Sequence, residues 1–529
     1  MLNTKRAYNG MVVAPHHLAS QAGLRVLQDD GNAVEAMIAA ASTIAVVYPH
    51  MNGLGGDNFW LVQTPSEVHG IDACGGAAGL ASVDFYQQLQ CSKIPDRGPL
   101  AALTMAGAVS GWEKAHAYSQ QKLGGKLPLS RLLEDAIHYA KSGVAVTSTL
   151  ANNAAGKRSQ LESVAGFAST YMPDGQTVTE GSRFTQTKIA ATLEALVKNG
   201  LNDFYRGELA DSMATELEQL GSPLRLADFE RHQALTPEPL KLTVCGHTVY
   251  NMPPPTQGLA SLLLLGCYEK LGHFDQEDAN YIHALVEATK CAFRVRDNHV
   301  SDPEYMQYSA NHFLNDAKIQ EMVSQVNMEQ AAPWPDAATS GDTVWLGAID
   351  HNGNAVSFIQ SVYWEFGSGL VLPSTGITWQ NRGTSFSLDP QHHNVLTPHR
   401  RPFHTIQPAM ATLSDGRVMS YGTMGGEGQP QTQAMLFSRY ALNNMPVQQA
   451  VSAPRWLLGR TWGSEATNLR IENRFSNDTI ATLKARGHDV EVVGSYEEIM
   501  GHAGALIRHP DGLIEAGADP RSDGSAVGY

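Results

Sequence analysis

Residues 329–361 divide the chain. Glu329-Gln-Ala-Ala-Pro-Trp-Pro-Asp-Ala-Ala-Thr-Ser-Gly-Asp342 is small, polar and Pro-containing, with no periodicity. It reads as a loop or linker. Directly after it come Thr343-Val-Trp-Leu-Gly-Ala-Ile-Asp350, then His351-Asn-Gly-Asn354, then Ala355-Val-Ser-Phe-Ile-Gln-Ser361. Two apolar runs rich in β-branched and aromatic residues around Asn352-Gly353 predict a β-hairpin. If Asn352 and Gly353 form a two-residue turn, Thr343 lies opposite residue 362, beside Ser361. A hydroxyl at the start of one strand then meets a second at the end of its neighbour.

Upstream, residues 32–48 predict a helix. Asn32 is a good N-cap, Glu35 completes a capping box, and Val34, Met37, Ile38, Ala41, Ile44 and Ala45 recur at helical spacing. This face reads as core packing. The Gly-rich turn Asn52-Gly-Leu-Gly-Gly-Asp57 leads into a strand-like run, Phe59 to Val62. Helical pattern returns over roughly 127–142, 187–220 and 258–297, with the Pro-rich Met252–Gly258 turn before the last of these.

The 529 residues carry a formal charge of −15, which argues against nucleic acid or an anionic membrane as partner. The five cysteines are scattered, with no CxxC or metal spacing, and fit a reduced compartment. The N-terminus lacks an apolar secretory core, and Met37–Tyr48 is too short to span a bilayer. A cytoplasmic protein is expected. There is no GxSxG elbow, Walker A loop or HExxH set, and neither metal nor cofactor is expected.

Three glycine-bearing segments follow the hairpin: Glu365-Phe-Gly-Ser-Gly369, Gln380-Asn-Arg-Gly383 and Tyr421-Gly-Thr-Met-Gly-Gly-Glu-Gly428. With Gly31-Asn-Ala-Val-Glu-Ala36, Asn52-Gly-Leu-Gly-Gly56, Asn251-Met-Pro-Pro-Pro255, Gly353-Asn-Ala-Val356, Arg401-Pro402, Ala453-Pro-Arg455, Ala518-Asp-Pro-Arg-Ser522 and Gly528-Tyr529, they occur in a characteristic order. The chain thereby resembles the gamma-glutamyltranspeptidase family of N-terminal nucleophile hydrolases over nearly its whole length. The resemblance implies an α+β fold, a four-layer αββα sandwich, forming one domain from two autoprocessed subunits. Cleavage between Asp342 and Thr343 would give a large subunit, 1–342, and a small one, 343–529.

A threonine hydroxyl is a weak nucleophile until a base sits beside it. A freed α-amine titrates near neutrality, so Thr343 at a new N-terminus carries its own base. The resemblance places the oxyanion hole on the backbone of Gly425-Gly426 and a supporting hydroxyl on Ser361. It also marks where this chain departs from glutamyl-using members. The arginine-bearing stretch that holds their α-carboxylate reads Asp72-Ala-Cys-Gly75 here, and their Ser-Ser pair reads His404-Thr405. Their amine-binding Asn, Gln and Asp read Tyr363, Arg382 and Ser385, and their Thr-Thr-His start reads Thr343-Val-Trp345.

An arginine in an ammonium pocket inverts its preference toward a carboxylate. The expected substrate is therefore a small anionic amide held by Arg382, with Tyr363, Ser385, His404 and Thr405 as further binding residues. A branch of the family that includes cephalosporin acylases and enzymes acting on oxamate fits these departures. Oxamate, cleaved to oxalate and ammonia, is the expected substrate. A glutathione hydrolase or transferase and a β-lactam side-chain acylase are the alternatives.

Overall fold

The computed structural model describes residues 3–272, 274, 277–334, 342–459 and 467–529, and for Asp342 the backbone alone. Half of the expected linker, 335–341, lies outside the described residues.

The strands of the two large sheets are β1 Lys5–Ala7, β2 Gly10–Ala14, β3 Asp57–Gln63, β4 Val68–Ala73, β5 Leu240–Val244, β6 His247–Asn251, β7 Asp342–Asp350, β8 Ala355–Tyr363, β9 Ala409–Thr412, β10 Val418–Thr423, β11 Ala503–Arg508, β12 Ile514–Ala518 and β13 Ser525–Gly528. One sheet runs β13-β2-β7-β8-β3-β4 and the other β1-β12-β11-β10-β9-β6-β5, antiparallel throughout. Successive side chains of a strand face opposite ways, and here both faces are covered. Val344, Leu346, Ala348, Val356 and Phe358 point to a core shared with α1 (His17–Gln28) and α2 (Ala33–Val47). Trp345, Ile349, Ala355 and Ile359 point the other way, onto Met410, Leu506 and Ile514 of the second sheet. A third core joins that sheet to α3 (Gly258–Leu271) and α4 (Ala279–His299). Three apolar layers separate four layers of structure, the expected αββα sandwich.

The predicted helix is present with its capping box on Asn32 and Glu35. It buries all fifteen residues rather than one face, because other helices cover the side turned away from the sheet. The other helical stretches are broken: 187–220 holds three helices, and 258–297 divides into α3 and α4.

The hairpin forms with a different turn. Three residues, His351–Gly353, close it, with Gly353 at φ +85° and its N–H donating to Asp350 O. This is a type of loop that needs a left-handed third residue. Pairing therefore runs one residue out of the expected register, with Ala355 opposite Ile349 and Gln360 opposite Val344. A bulge between Gln360 and Tyr363 restores it, so Tyr363 pairs with Asp342. Thr343 thus faces the bulged pair Ser361 and Val362, close to where the turn spacing put it.

Candidate active site

Thr343 sits on the second residue of β7, fully buried, on the same face as Trp345 between the two sheets. Two groups from its neighbour β8 define one wall. Ser361 Oγ accepts the N–H of Tyr363 at 2.7 Å, which pins the bulge. Tyr363 itself adopts φ +82°, a left-handed conformation costly for a large side chain. Gly56 allows the loop 52–56 to press on this bulge, since a Cβ there would lie 2.1 Å from Ser361 O.

The opposite wall comes from the facing sheet. Strand β10 ends at Thr423, Gly425 and Gly426 follow at φ +116° and +53°, and the chain then enters the helix α5 (Gly428–Phe437). Two consecutive left-handed glycines turn the backbone before the positively polarised start of a helix, a setting suited to stabilising an oxyanion. The same helix sends Gln429 back toward β7, its amide donating to Thr343 Oγ1 at 3.4 Å. Gln429 is a site residue that the sequence reading missed.

Arg382 lies on a short 3-10 turn, 1% exposed. Its guanidinium carbon stacks 3.7 Å from the centre of the Tyr363 ring, and Nη1 donates to Thr405 Oγ1 at 3.3 Å. Among the described residues Nη2 has no hydrogen-bond partner and no carboxylate is within ion-pair distance. Burial pushes its pKa down to about 10, against the pull of Tyr363 and Asp57. Among the described residues this arginine is not half of a structural ion pair. Thr405 also ties this group to the glycine pair: the Gln257 amide donates to both Thr405 O and Gly426 O, at 2.5 and 2.8 Å.

The remaining expected binding residues separate. His404 is fully buried against Asp57, Nε2 to Oδ2 at 2.9 Å, and Asp57 is a second residue the sequence reading missed. Ser385 donates to Phe403 O at 3.2 Å and lines a neighbouring cavity of about 500 Å³ with Phe403, Arg296 and Glu427. Asp72, where glutamyl users carry their arginine stretch, is itself bound by Arg401 at 2.9 Å.

Sequence spacing gave no metal set, yet the fold brings His283, Glu287 and His488 together. His283 bonds His488 at 2.7 Å and Asn327 O at 3.0 Å, while Lys290 takes Glu287 and Ala332 O. These contacts anchor residues 327–332 on α4, and an ammonium on the carboxylate disfavours a second cation.

The gamma-glutamyltranspeptidase family model matches residues 19–529. The chain belongs to that family. It is 51% identical to the oxamate amidohydrolase proenzyme of Klebsiella pneumoniae, over 98% of both chains. It is 40% identical to a glutathione hydrolase-like proenzyme of Bacillus subtilis, again over 98% of each. The cephalosporin acylase structure from Bacillus halodurans superimposes with a TM-score of 0.92 at 33% identity, covering 100% of this chain and 97% of that one. The fold is that of the N-terminal nucleophile hydrolases, and the chain is an amide-hydrolysing enzyme. No described helix is long and apolar enough to cross a membrane.

Proposed function

We propose that the chain is a self-maturing threonine amidohydrolase that converts oxamate to oxalate and ammonia. The observation that carries the substrate is Arg382, a buried guanidinium with an unused donor edge and no carboxylate partner among the described residues. It stacks on Tyr363, whose N–H is held by Ser361 in the bulge opposite Thr343. Cation and nucleophile are therefore a few groups apart, which suits an amide joined directly to a carboxylate. The 51% identity to an oxamate amidohydrolase proenzyme supports the same reading.

In the precursor, Thr343 Oγ attacks the Asp342 carbonyl, the peptide shifts to an ester, and water cleaves it. This frees the α-amine and leaves subunits 1–342 and 343–529. In the mature enzyme the amine takes the hydroxyl proton as Oγ attacks the oxamate amide carbon. The N–H groups of Gly425 and Gly426 receive the oxyanion. On collapse the ammonium returns the proton to the departing nitrogen, and ammonia leaves. Water then attacks the oxalyl ester with the same amine as base, releasing oxalate. Ser361 orients the hydroxyl, and Thr405 orients the guanidinium.

A second reading has a specific observation behind it. The 500 Å³ cavity beside Ser385, Phe403 and Glu427 is larger than oxamate requires and would hold the side chain of an acylase substrate. The amine released by the purified protein decides between them: ammonia from oxamate, the aniline from a γ-glutamyl anilide, and the free amino-cephem from a cephalosporin amide. Turnover of oxamate alone supports the proposal, and turnover of either other compound alone overturns it. A denaturing gel showing only the full-length chain in active enzyme would overturn the maturation step.

A further inference from the structure

The Asp57–His404 contact holds information about charge. His404 Nδ1 lies 2.9 Å from Pro402 O, which can only accept, so Nδ1 carries a hydrogen. Nε2 lies 2.9 Å from Asp57 Oδ2. The other oxygen of Asp57 accepts the N–H groups of Gly75 and Gly107, at 3.1 and 3.0 Å. With Asp57 ionised and Nε2 bare, two lone pairs would face each other inside the protein. A proton must stand between them, on the ring or on the acid, and both arrangements give the pair zero net charge. This is the same end of the sandwich as Arg382, which bonds Thr405, the residue after His404.

We propose that Asp57 and His404 share one proton as a neutral unit, and so keep Asp57 from competing with the substrate carboxylate for Arg382. This deepens the anionic-amide reading and rests on it. The pair is a specificity-determining device. Without its proton, Asp57 would be the counter-ion that Arg382 lacks, and the pocket would lose its preference for anions. Other charges face the pair. Arg382 and burial push the His404 imidazolium below the ordinary histidine range, burial the larger, while Asp57 opposes them. Asp72 and Cys74 stand on the Asp57 side, with Asp72 bound by Arg401, and buried His232 lies within the field of Asp57.

The test is a charge rescue. In His404→Gln the amide can still donate to Asp57 but brings neither the transferable proton nor the charge that balances the carboxylate. KM for oxamate and Kd for oxalate should rise on the order of ten-fold or more, with kcat changing less. Adding Asp57→Asn removes the competing charge and keeps the hydrogen bonds to Gly75 and Gly107. The double variant should return to within about three-fold of the wild-type KM, since neutralising one partner relieves the other. Melting curves and the subunit pattern on a gel monitor folding in each. A double variant that binds no better than His404→Gln, or a His404→Gln enzyme with wild-type affinity, overturns the shared-proton role. Wild-type enzyme that neither cleaves oxamate nor binds oxalate overturns the anionic-amide reading itself, and the role of the pair with it.

Discussion

Replacing Arg382 by Met should weaken substrate binding and leave the protein at least as stable. The two effects have the same origin. Arg382 is 1% exposed, makes one neutral hydrogen bond at 3.3 Å, stacks on Tyr363 and leaves Nη2 unused. A buried arginine serving as half of a structural ion pair would cost about 3–5 kcal/mol on truncation, because its partner is left charged and alone. Here there is no such partner among the described residues. Met preserves the packing under the tyrosine ring and removes an unpaid desolvation. The pKa, pushed down to about 10, gives the sign: between about 10 and the unfolded value the native state binds fewer protons, so stability rises with pH only in that window. At neutral pH the full penalty is present, and removing the charge relieves it.

For the substrate the balance reverses. Hydrogen bonds from a guanidinium to a carboxylate contribute about 1.5–3 kcal/mol. At 1.36 kcal/mol per decade, KM for oxamate should rise roughly ten- to a hundred-fold. Arg382 reaches the Tyr363 ring and Thr405, so maturation into two subunits at Thr343 should proceed. The assays are a thermal melt, oxamate kinetics and a denaturing gel on the same preparations. A melt lowered by several degrees together with an unchanged KM would refute the reasoning, since that is how a structural arginine behaves.

Thr343→Ala should stay one uncut chain with no amidase activity, and cleavage of that variant on a gel would place the nucleophile elsewhere. Gln429→Ala, which removes the amide 3.4 Å from Thr343 Oγ1, should lower kcat about ten-fold or more with little change in KM; a pure KM effect would contradict its placement at the nucleophile. Gly422→Ala should destabilise the sandwich by about 1–3 kcal/mol, because the new Cβ would lie 2.2 Å from the Trp345 indole; an unchanged melt would mean the indole moves freely. Glu498 is pushed up to about 8 by burial, with Asp523 and Glu365 adding to it. Its native state therefore binds more protons than the unfolded chain between about pH 4.5 and 8, and stability contributed by this group falls with rising pH across that window. Glu498→Gln should flatten that slope in melts taken at several pH values, and a slope identical to wild type would reject the raised value.

What could be read from the sequence was what neighbouring residues decide together. Asn32 and Glu35 announce their helix because a capping box closes over three residues. Asn352-Gly353 announces its hairpin, but the choice between a two- and a three-residue turn depends on where φ becomes positive. Gly353 takes that position, and Asp350 favours the three-residue turn by binding both Asn354 and the first N–H of α2. That last contact crosses 317 positions, which no local pattern reveals. The departure at Trp345 has the same explanation. The indole fills space left by Gly422 and Gly504 of the facing sheet, whose added Cβ atoms would come within 2.2 and 2.5 Å of it. Three residues from distant segments form one packing unit.

The chemistry divides along the same line. A threonine after a linker, an arginine in place of a glutamine and a pair of glycines are visible as residue types. Whether that arginine is free or paired is a property of every carboxylate that the fold brings near it. One carboxylate that acts on it electrostatically, Asp57, lies 347 positions from the histidine that occupies it. The substituted residues His404 and Arg382 therefore make sense only as a set. An arginine introduced beside a buried carboxylate would bind that carboxylate, unless something else had already satisfied it. The histidine two residues past Pro402 does so, and under the proposed function the specificity of the pocket would depend on that pairing as much as on Arg382.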